Sequence, residues 1–317
     1  MIASAGGAVI DVLSSESMYE STVRFAVILA FAAVGEWVAE RAGTLNISLE
    51  AMMIAGAYTA AVTSTHTGFV PLCLLAGMVA GVVVALVQAY LSHQLAIDQF
   101  VVGLTLNLLV LGLALFLDSR WEAATSPVKP TDIPLLADIP LVGRAVFGQP
   151  WPMYLIVVVV PAAWWLMFRT RWGLEVRSVG ENPQAADVSG IHVNRRRRES
   201  ILFAGVCAGL GGGVLVLAQI TLSGYESGHV GLKGIIAIAA VIFGGWTLRG
   251  TVLGCVLFGY FYALQITLPT VGGEGYRINS QLSASLPYIV ALAVTAVFAR
   301  RTHPPRALAQ PFVRGLT

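Results

Sequence analysis

The sequence predicts an all-α protein that crosses a membrane several times, and three observations support that prediction. Hydrophobic residues make up 56% of the 317 residues, only 11% are charged, and the mean hydropathy is +0.77. An ordinary soluble domain has about 25% charged residues, and a soluble chain would need a polar exterior that this composition does not supply. The apolar residues are also gathered into runs long enough to cross a bilayer as helices.

Nine apolar runs approach the roughly 20 residues that a membrane-spanning helix needs. The seventh and ninth are short, so the count stays open by one. The first 19 residues lack the cationic region and cleavage pattern of a signal peptide, and they predict an extracytoplasmic or interfacial segment. The nine predicted spans lie near residues 20–38, 45–63, 70–90, 100–117, 151–168, 200–218, 231–246, 251–268 and 284–299.

The basic residues predict the orientation of this single transmembrane domain, residues 1–317. If the long polar connection 169–199 is cytoplasmic, 13 of the 19 Lys and Arg residues lie inside and 6 outside. Because cytoplasmic loops retain Lys and Arg, the N-terminus and the loop 118–150 are predicted to lie outside. The tail 300–317 is then cytoplasmic.

No pattern in the sequence indicates catalysis or metal binding. The three cysteines stand singly in apolar runs, and the five histidines are not spaced as ligands on a helix face. The Gly-rich stretch 224–234 lacks the Gly-Lys-Ser/Thr ending of a phosphate-binding loop. We therefore expect a protein that is not an enzyme, binds no cofactor, metal or nucleic acid, and has membrane lipid around it.

A stripe of small residues predicts close helix packing. Glycines recur at every fourth position in the sixth run, and the third run repeats the spacing; such stripes let two helix backbones approach closely. Packing within the chain is the simpler interpretation, and a subunit interface stays open. The glycines are Gly205, Gly209 and Gly213, with Gly77 and Gly81 in the third run.

Polar residues at membrane depth are the first functional candidates, because an unpartnered polar group is costly in hydrocarbon. Glu36 lies close to other charges and is interpreted as structural. If the second run is helical from about Asn46, then Asn46 and Glu50 share a helix face. Glu50 then either ties helices together or belongs to the polar wall of a translocation path. Asn107 allows the same two interpretations.

The second candidate is a short helix inside the basic connection 169–199. Asn182 and Pro183 are typical of an N-cap and a first helical position, and Gly190 is typical of a helix end. The simple interpretation is a basic loop beside anionic lipid. The alternative is a helix that inserts into a groove on a partner, which its small residues would suit: Ala185, Ala186 and Ser189.

Four stretches together resemble motifs of bacterial ABC-type importer permeases, over about residues 20–300. Among permeases for nucleosides, simple sugars and branched-chain amino acids, the first and last stretches are most similar to those of nucleoside permeases. Ala51 stands where those usually have Gly, and GLKG at 231–234 replaces a Gly-Arg-Gly pattern. The stretches are ERAGTLNISLEAMM (40–53), NLLVLGLALFL (107–117), VGENPQAADVSGI (179–191) and KGIIAIAAVIFGGW (233–246).

The resemblance implies a type II-like ABC importer permease of the bacterial inner membrane. Its partners would be a second permease subunit, identical or homologous, a cytoplasmic ABC ATPase and an extracytoplasmic solute-binding lipoprotein. Asn46, Glu50 and Asn107 would lie near the substrate path. The segment from Glu181 to Ile191 would be the coupling helix on the ATPase, whose movement switches the permease between inward-facing and outward-facing states.

Three alternatives remain open from the sequence. The substrate could be a simple sugar, ribose-like, or a branched-chain amino acid rather than a nucleoside. The protein could be a secondary transporter in which Glu50 takes up and releases a proton. It could also be a membrane scaffold, although a scaffold does not need polar residues at membrane depth. Glu50→Gln should abolish proton coupling and largely preserve a hydrogen-bonding role.

Overall fold

The fold is all-helical throughout the residues that our computed structural model describes. Those residues are 15–121, 127–130, 143–218, 230–271, 285–290, 292–293, 296 and 304–313. A 3₁₀ turn, Trp151–Leu155, leads directly into α6. The helices are α1 Glu16–Arg41, α2 Leu49–Thr67, α3 Val70–His93, α4 Gln99–Asp118, α5 Gly143–Phe147, α6 Ile156–Arg169, α7 Arg171–Glu181, α8 Pro183–Val188, α9 Val193–Ala218, α10 Lys233–Phe243 and α11 Leu248–Val271.

Six of the predicted spans are confirmed as helices long and apolar enough to cross a membrane: α1, α3, α4, α6 with its 3₁₀ turn, α9 and α11. The second predicted run forms α2, which is 19 residues long but does not reach the hydropathy of these six. The seventh run forms α10, which has only 11 residues. The ninth, 284–299, is described only in part, and its residues 285–290 are helical.

Two boundaries differ from the sequence prediction at the N-terminal side. α1 begins at Glu16, inside the segment that we expected to precede the first span, and residues 1–14 lie outside the described part. α2 begins at Leu49, so the prediction that Asn46 and Glu50 share a helix face is wrong. The hydroxyl of Ser48 donates to Asn46 Oδ1 at 2.9 Å, and such local side-chain bonds compete with helix formation.

The basic run before the sixth predicted span also differs from expectation. α9 begins at Val193, so Arg195 to Arg198 form its first turns and do not belong to a loop. Carboxylates offset part of this charge: Arg196 pairs with Glu175 at 2.5 Å and with Glu199 at 2.6 Å. Like charges within a turn of each other otherwise destabilise a helix.

The core is built around α9, which packs against α3, α2 and α1. Gly209 lies at a close approach of α9 and α3, since a Cβ on it would overlap the carbonyl oxygen of Gly77. A Cβ on Gly81 would likewise overlap the carbonyl oxygen of Gly205. Gly213 is looser, with its nearest neighbours at 3.4 Å. The structure therefore places the glycine stripe between helices of one chain.

Candidate functional site

Glu50, in the first turn of α2, binds the first turn of another helix with both carboxylate oxygens. Oε1 accepts from the backbone N–H of Leu232 at 2.9 Å, and Oε2 accepts from that of Gly234 at 2.6 Å. These amides begin α10 and have no partner within it, and the helix dipole favours a negative group there. The side chain is only 6% exposed. Glu50 thus joins the N-terminal ends of α2 and α10.

The close fit at this junction depends on a glycine. A Cβ added to Gly234 would lie 2.6 Å from the backbone nitrogen of Glu50 and 2.8 Å from its Oε2. Real Cβ atoms do not approach other atoms this closely, so a larger residue would push the two helix ends apart. Gly234 therefore allows the carboxylate to reach the amides.

Asn107 brings α4 to the same place. Its Oδ1 accepts from the backbone N–H of Ala51 at 2.9 Å, and its Nδ2 donates to the carbonyl of Ile47 at 2.8 Å. One side chain therefore satisfies a donor in the first turn of α2 and an acceptor just before it. The structure brings Asn107 and Glu50 together at the start of α2.

Asn46 lies in the turn that precedes α2 and is fully buried. Its backbone N–H donates to Oε1 of Glu36 on α1 at 3.2 Å, and its Oδ1 accepts from Ser48. Glu36 is also fully buried. The hydrogen bond from Asn46 holds the Glu36 carboxylate against the turn before α2, which agrees with the interpretation of Glu36 as a structural residue. All three sequence candidates for the path thus meet around residues 46–51.

Lys233 is a member of this cluster that sequence reasoning missed. The predicted orientation places Lys233 among the six basic residues on the outer side, yet it is only 3% exposed. Its Nζ donates to the carbonyl of Val230 at 3.2 Å and to the hydroxyl of Tyr262 at 3.0 Å, and it lies 4.8 Å from the centre of that ring. The available signal was its place at the head of an apolar run, where a lysine has few ways to reach water.

The other end of α10 is tied to α1. The indole of Trp246 donates to Glu40, and the indole of Trp37 donates to the backbone carbonyl of Trp246 at 2.8 Å. α10 has 11 residues, so it is about 16 Å long, roughly half of a bilayer core of ~30 Å. α10 is therefore too short to cross the bilayer core by itself.

The polar groups of this cluster are hydrogen-bonded to one another. The N-terminal amides of α2 and α10 donate to Asn107 and Glu50, and Lys233 donates to Val230 and Tyr262. Within the described ranges, no group of three or more His, Cys, Asp and Glu residues could hold a metal ion.

Glu50→Gln tests the junction between α2 and α10. Both oxygens accept from N–H groups, so glutamine replaces one acceptor with an NH₂ that faces a donor. We expect the free energy of unfolding to fall by about 1–3 kcal/mol, measured by thermal unfolding of the purified protein in detergent. Glu181→Gln, an exposed change at the end of α7, should stay within about 0.5 kcal/mol. Equal stability of the two variants would contradict the role assigned to Glu50.

The second candidate, the short helix α8, has the predicted N-terminus. Asn182 is its N-cap and accepts from the backbone N–H of Ala185 at 3.0 Å, and Pro183 is its first residue. Gly190 has a φ of +86° just after its end, a conformation that favours glycine. The helix covers Pro183–Val188 and follows α7 directly.

The small residues of α8 predict an outward face for contact with a partner, but one of them faces its own protein. Ala186 is only 4% exposed and packs with Val179 and Val193 inside the chain. Val188 is 90% exposed. The outward surface of α8 therefore presents a single branched apolar side chain beside Ala185, and the buried alanine anchors the helix to its own protein.

The C-terminal tail, described over residues 304–313, is held by Arg197 in α9. This arginine is fully buried, and its guanidinium donates to the carbonyls of Ala42 at 3.3 Å, Gln310 at 2.7 Å and Ala307 at 3.4 Å. Backbone bonds add to the contact: the N–H of Ala307 donates to Gly180 at 3.0 Å. The end of α1, the start of α9 and the tail are therefore joined at one point.

Residues 18–299 match the protein family described as "Branched-chain amino acid transport system / permease component". This chain belongs to that family. The permease is a multi-pass protein of the bacterial inner membrane and an ABC importer permease.

Curated relatives cover nearly all of the permease. The nucleoside ABC transporter permease protein NupC of Lactococcus lactis is 34% identical, over 88% of this chain and 91% of its own. The guanosine ABC transporter permease protein NupQ of Bacillus subtilis is 32% identical, over 93% and 96%. The putative glucose ABC transporter permease protein TsgC13 of Haloferax volcanii is 33% identical, over 94% and 97%.

A solved structure has the same fold as the permease. It is titled "PsaBC from Streptococcus pneumoniae in complex with Fab", and it aligns over 94% of this chain and 95% of its own with a TM-score of 0.50. Sequence identity is 14%, so the likeness concerns the fold alone.

Proposed function

We propose that the permease forms the membrane path of an ATP-driven importer for nucleosides. The observation that carries this proposal is the near full-length similarity to a nucleoside permease and a guanosine permease. The buried cluster is compatible with such a substrate, because a neutral molecule rich in hydroxyl groups needs hydrogen-bond partners more than counter-charges. Glu50, Asn107 and Lys233 supply a polar environment at the depth that the substrate must cross.

Asn46, Glu50 and Asn107 serve this path as positioning residues. Their side chains bind backbone at the start of α2 and α10, so they hold two helix ends at membrane depth. In transporters, helices that end within the membrane commonly lie beside the substrate site. Loss of one of these side chains should therefore change transport through the position of the helix ends.

The energy for import comes from other subunits in this proposal. The permease acts as a transport subunit without an ATPase site of its own, pairs with an identical or homologous permease subunit, and receives substrate from an extracytoplasmic lipoprotein. A cytoplasmic ABC ATPase contacts α8. Coupling requires a contact whose strength differs between two states of the permease, and the exposed face of α8 provides a surface for it.

Uptake measurements distinguish the substrate classes. Cells that carry the permease with its neighbouring transporter genes are given radiolabelled guanosine, and unlabelled nucleosides, glucose and ribose are added as competitors. Competition by nucleosides alone supports the proposal. Uptake of radiolabelled glucose by the same cells, without uptake of guanosine, would favour the second candidate, a sugar permease, for which the similarity to a putative glucose permease is the specific observation.

Val188→Asp tests α8 as the coupling helix. The side chain is 90% exposed, so the change leaves the fold intact, but it places a carboxylate where an apolar contact is expected. An isolated charge desolvated without a partner costs several kcal/mol, so uptake should fall at least about tenfold. The ATPase should also be lost when the permease is purified from membranes. Leu174→Asp, an exposed change on α7, is the matched control.

Normal uptake and normal ATPase retention in Val188→Asp would contradict the coupling assignment. Bulky substitutions of Ala186 are a poorer test, because that side chain is buried within the permease and a larger one would disturb the permease itself. A defect there would not distinguish lost coupling from lost packing.

The proton-coupled alternative is tested separately. Uptake that stops with a protonophore but continues in a strain without the ATPase would favour it and contradict the ATP-driven proposal. The two hydrogen bonds from backbone to Glu50 revise one expectation from the sequence: Glu50→Gln is now expected to weaken transport in either mechanism.

A further inference from the structure

A groove with a charged rim lies between the end of α3 and the start of α9. Its volume is about 280 Å³. Leu86, Ala89 and Leu202 form its apolar wall, while Arg195, Arg198 and the carboxylate of Glu199 stand at its rim. The groove thus combines a hydrocarbon surface with two guanidinium groups.

The apolar wall continues as a strip along α3 toward the middle of the membrane. Val79, Val83, Leu86 and Tyr90 are each more than half exposed, and their spacing of four, three and four residues places them on one helix face. From Val79 to Tyr90 the strip is about 16 Å long. This is about half of the ~30 Å hydrocarbon core, so the strip spans one leaflet.

The rim keeps a net positive charge, because one carboxylate, Glu199, faces two arginines. Arg198 donates to the carbonyl of Asn194 at 3.3 Å and to Oε1 of Gln94 at 3.2 Å, both uncharged acceptors. It takes part in none of the ion pairs among the described residues. Arg195 pairs with Glu199 at 2.9 Å, but that carboxylate also binds Arg196.

We propose that this groove binds an anionic phospholipid from the leaflet next to residues 169–199. The phosphate lies between Arg195 and Arg198, and one acyl chain follows the strip on α3. Basic pockets between transmembrane helices recognise anionic headgroups in this way. A phospholipid fits because the guanidinium groups stand at the end of an apolar strip whose length matches one leaflet.

The binding test uses the full-length permease reconstituted in phosphatidylcholine bilayers. Electron spin resonance compares immobilisation of spin-labelled phosphatidylglycerol with that of spin-labelled phosphatidylcholine. The wild type should prefer phosphatidylglycerol, and the preference should fall roughly fivefold for each arginine removed in Arg195→Gln and Arg198→Gln. Arg198→Lys, which keeps the charge, and Arg249→Gln, an exposed arginine outside the groove, should retain it.

Three outcomes would overturn the proposal. The first is an unchanged preference for phosphatidylglycerol in the double variant, with folding checked by circular dichroism. The second is displacement of the lipid preference by inorganic phosphate alone, which would make the site one for a free anion. The third is a double variant that keeps its lipid preference but loses its partner subunit on size-exclusion chromatography, which would make the groove a protein interface.

Discussion

Gly209→Ala is expected to lower the free energy of unfolding by about 3 kcal/mol or more. The added methyl group would overlap the backbone of Gly77 on α3, and backbone cannot rotate away as a flexible side chain can. The contact between α9 and α3 would have to open along its length. The expected measurement is a large drop in the yield of monodisperse protein from membranes and in its melting temperature.

Gly112→Ala is the matched control for this substitution. Gly112 lies inside α4, and a Cβ there would meet nothing within 4 Å. Alanine favours a helix over glycine by up to about 1 kcal/mol, so this variant should be as stable as the wild type or slightly more stable. Similar behaviour of the two alanine variants would show that the close contact of α9 and α3 is not what stabilises the protein.

Arg197→Met is the second substitution with a large expected effect. Methionine fills much of the same space but leaves the carbonyls of Ala42, Ala307 and Gln310 without this donor. A hydrogen bond from a charged donor is worth about 1.5–3 kcal/mol, so we expect a loss of at least about 3 kcal/mol. The tail should detach first, because two of the three hydrogen bonds of Arg197 hold it.

Limited proteolysis of a C-terminally tagged protein measures that detachment. The tag should be released much faster from Arg197→Met than from the wild type, before the transmembrane helices unfold. Arg171→Met, an exposed arginine at the start of α7, should keep the tag at the wild-type rate. Release at the same rate in both variants would mean that Arg197 does not hold the tail.

The predictions that the structure confirms rest on patterns among residues close together in the sequence. Apolar runs at 70–90 and 100–117 became α3 and α4 within a few residues, because bilayer thickness sets helix length and backbone must be satisfied within the segment. The cap of α8 at Asn182 was predictable for the same kind of reason, since it needs only the next three residues. The orientation of the termini and the coupling role of α8 remain predictions.

Long-range contacts account for what sequence reasoning missed. Glu50 and Gly234 are 184 positions apart, and no local pattern indicates that a carboxylate in one helix will bind the first turn of another. Ala186 illustrates the same limit, because its small size suggested an outward face and its contacts with Val179 and Val193 place it inward. The type of a residue limits the contacts that its side chain can make, and the packing of the helices decides which of those contacts form.

The sequence by itself determined the membrane class, six of the spans, the resemblance to ABC permeases and the short helix after Asn182. Each follows from composition or from neighbours within a few residues. Only the tertiary structure decided that Glu50 joins α2 to α10, that Lys233 is buried beside Tyr262, and that Arg197 holds the tail. These contacts join distant parts of the chain, and their partners are chosen by how the helices pack.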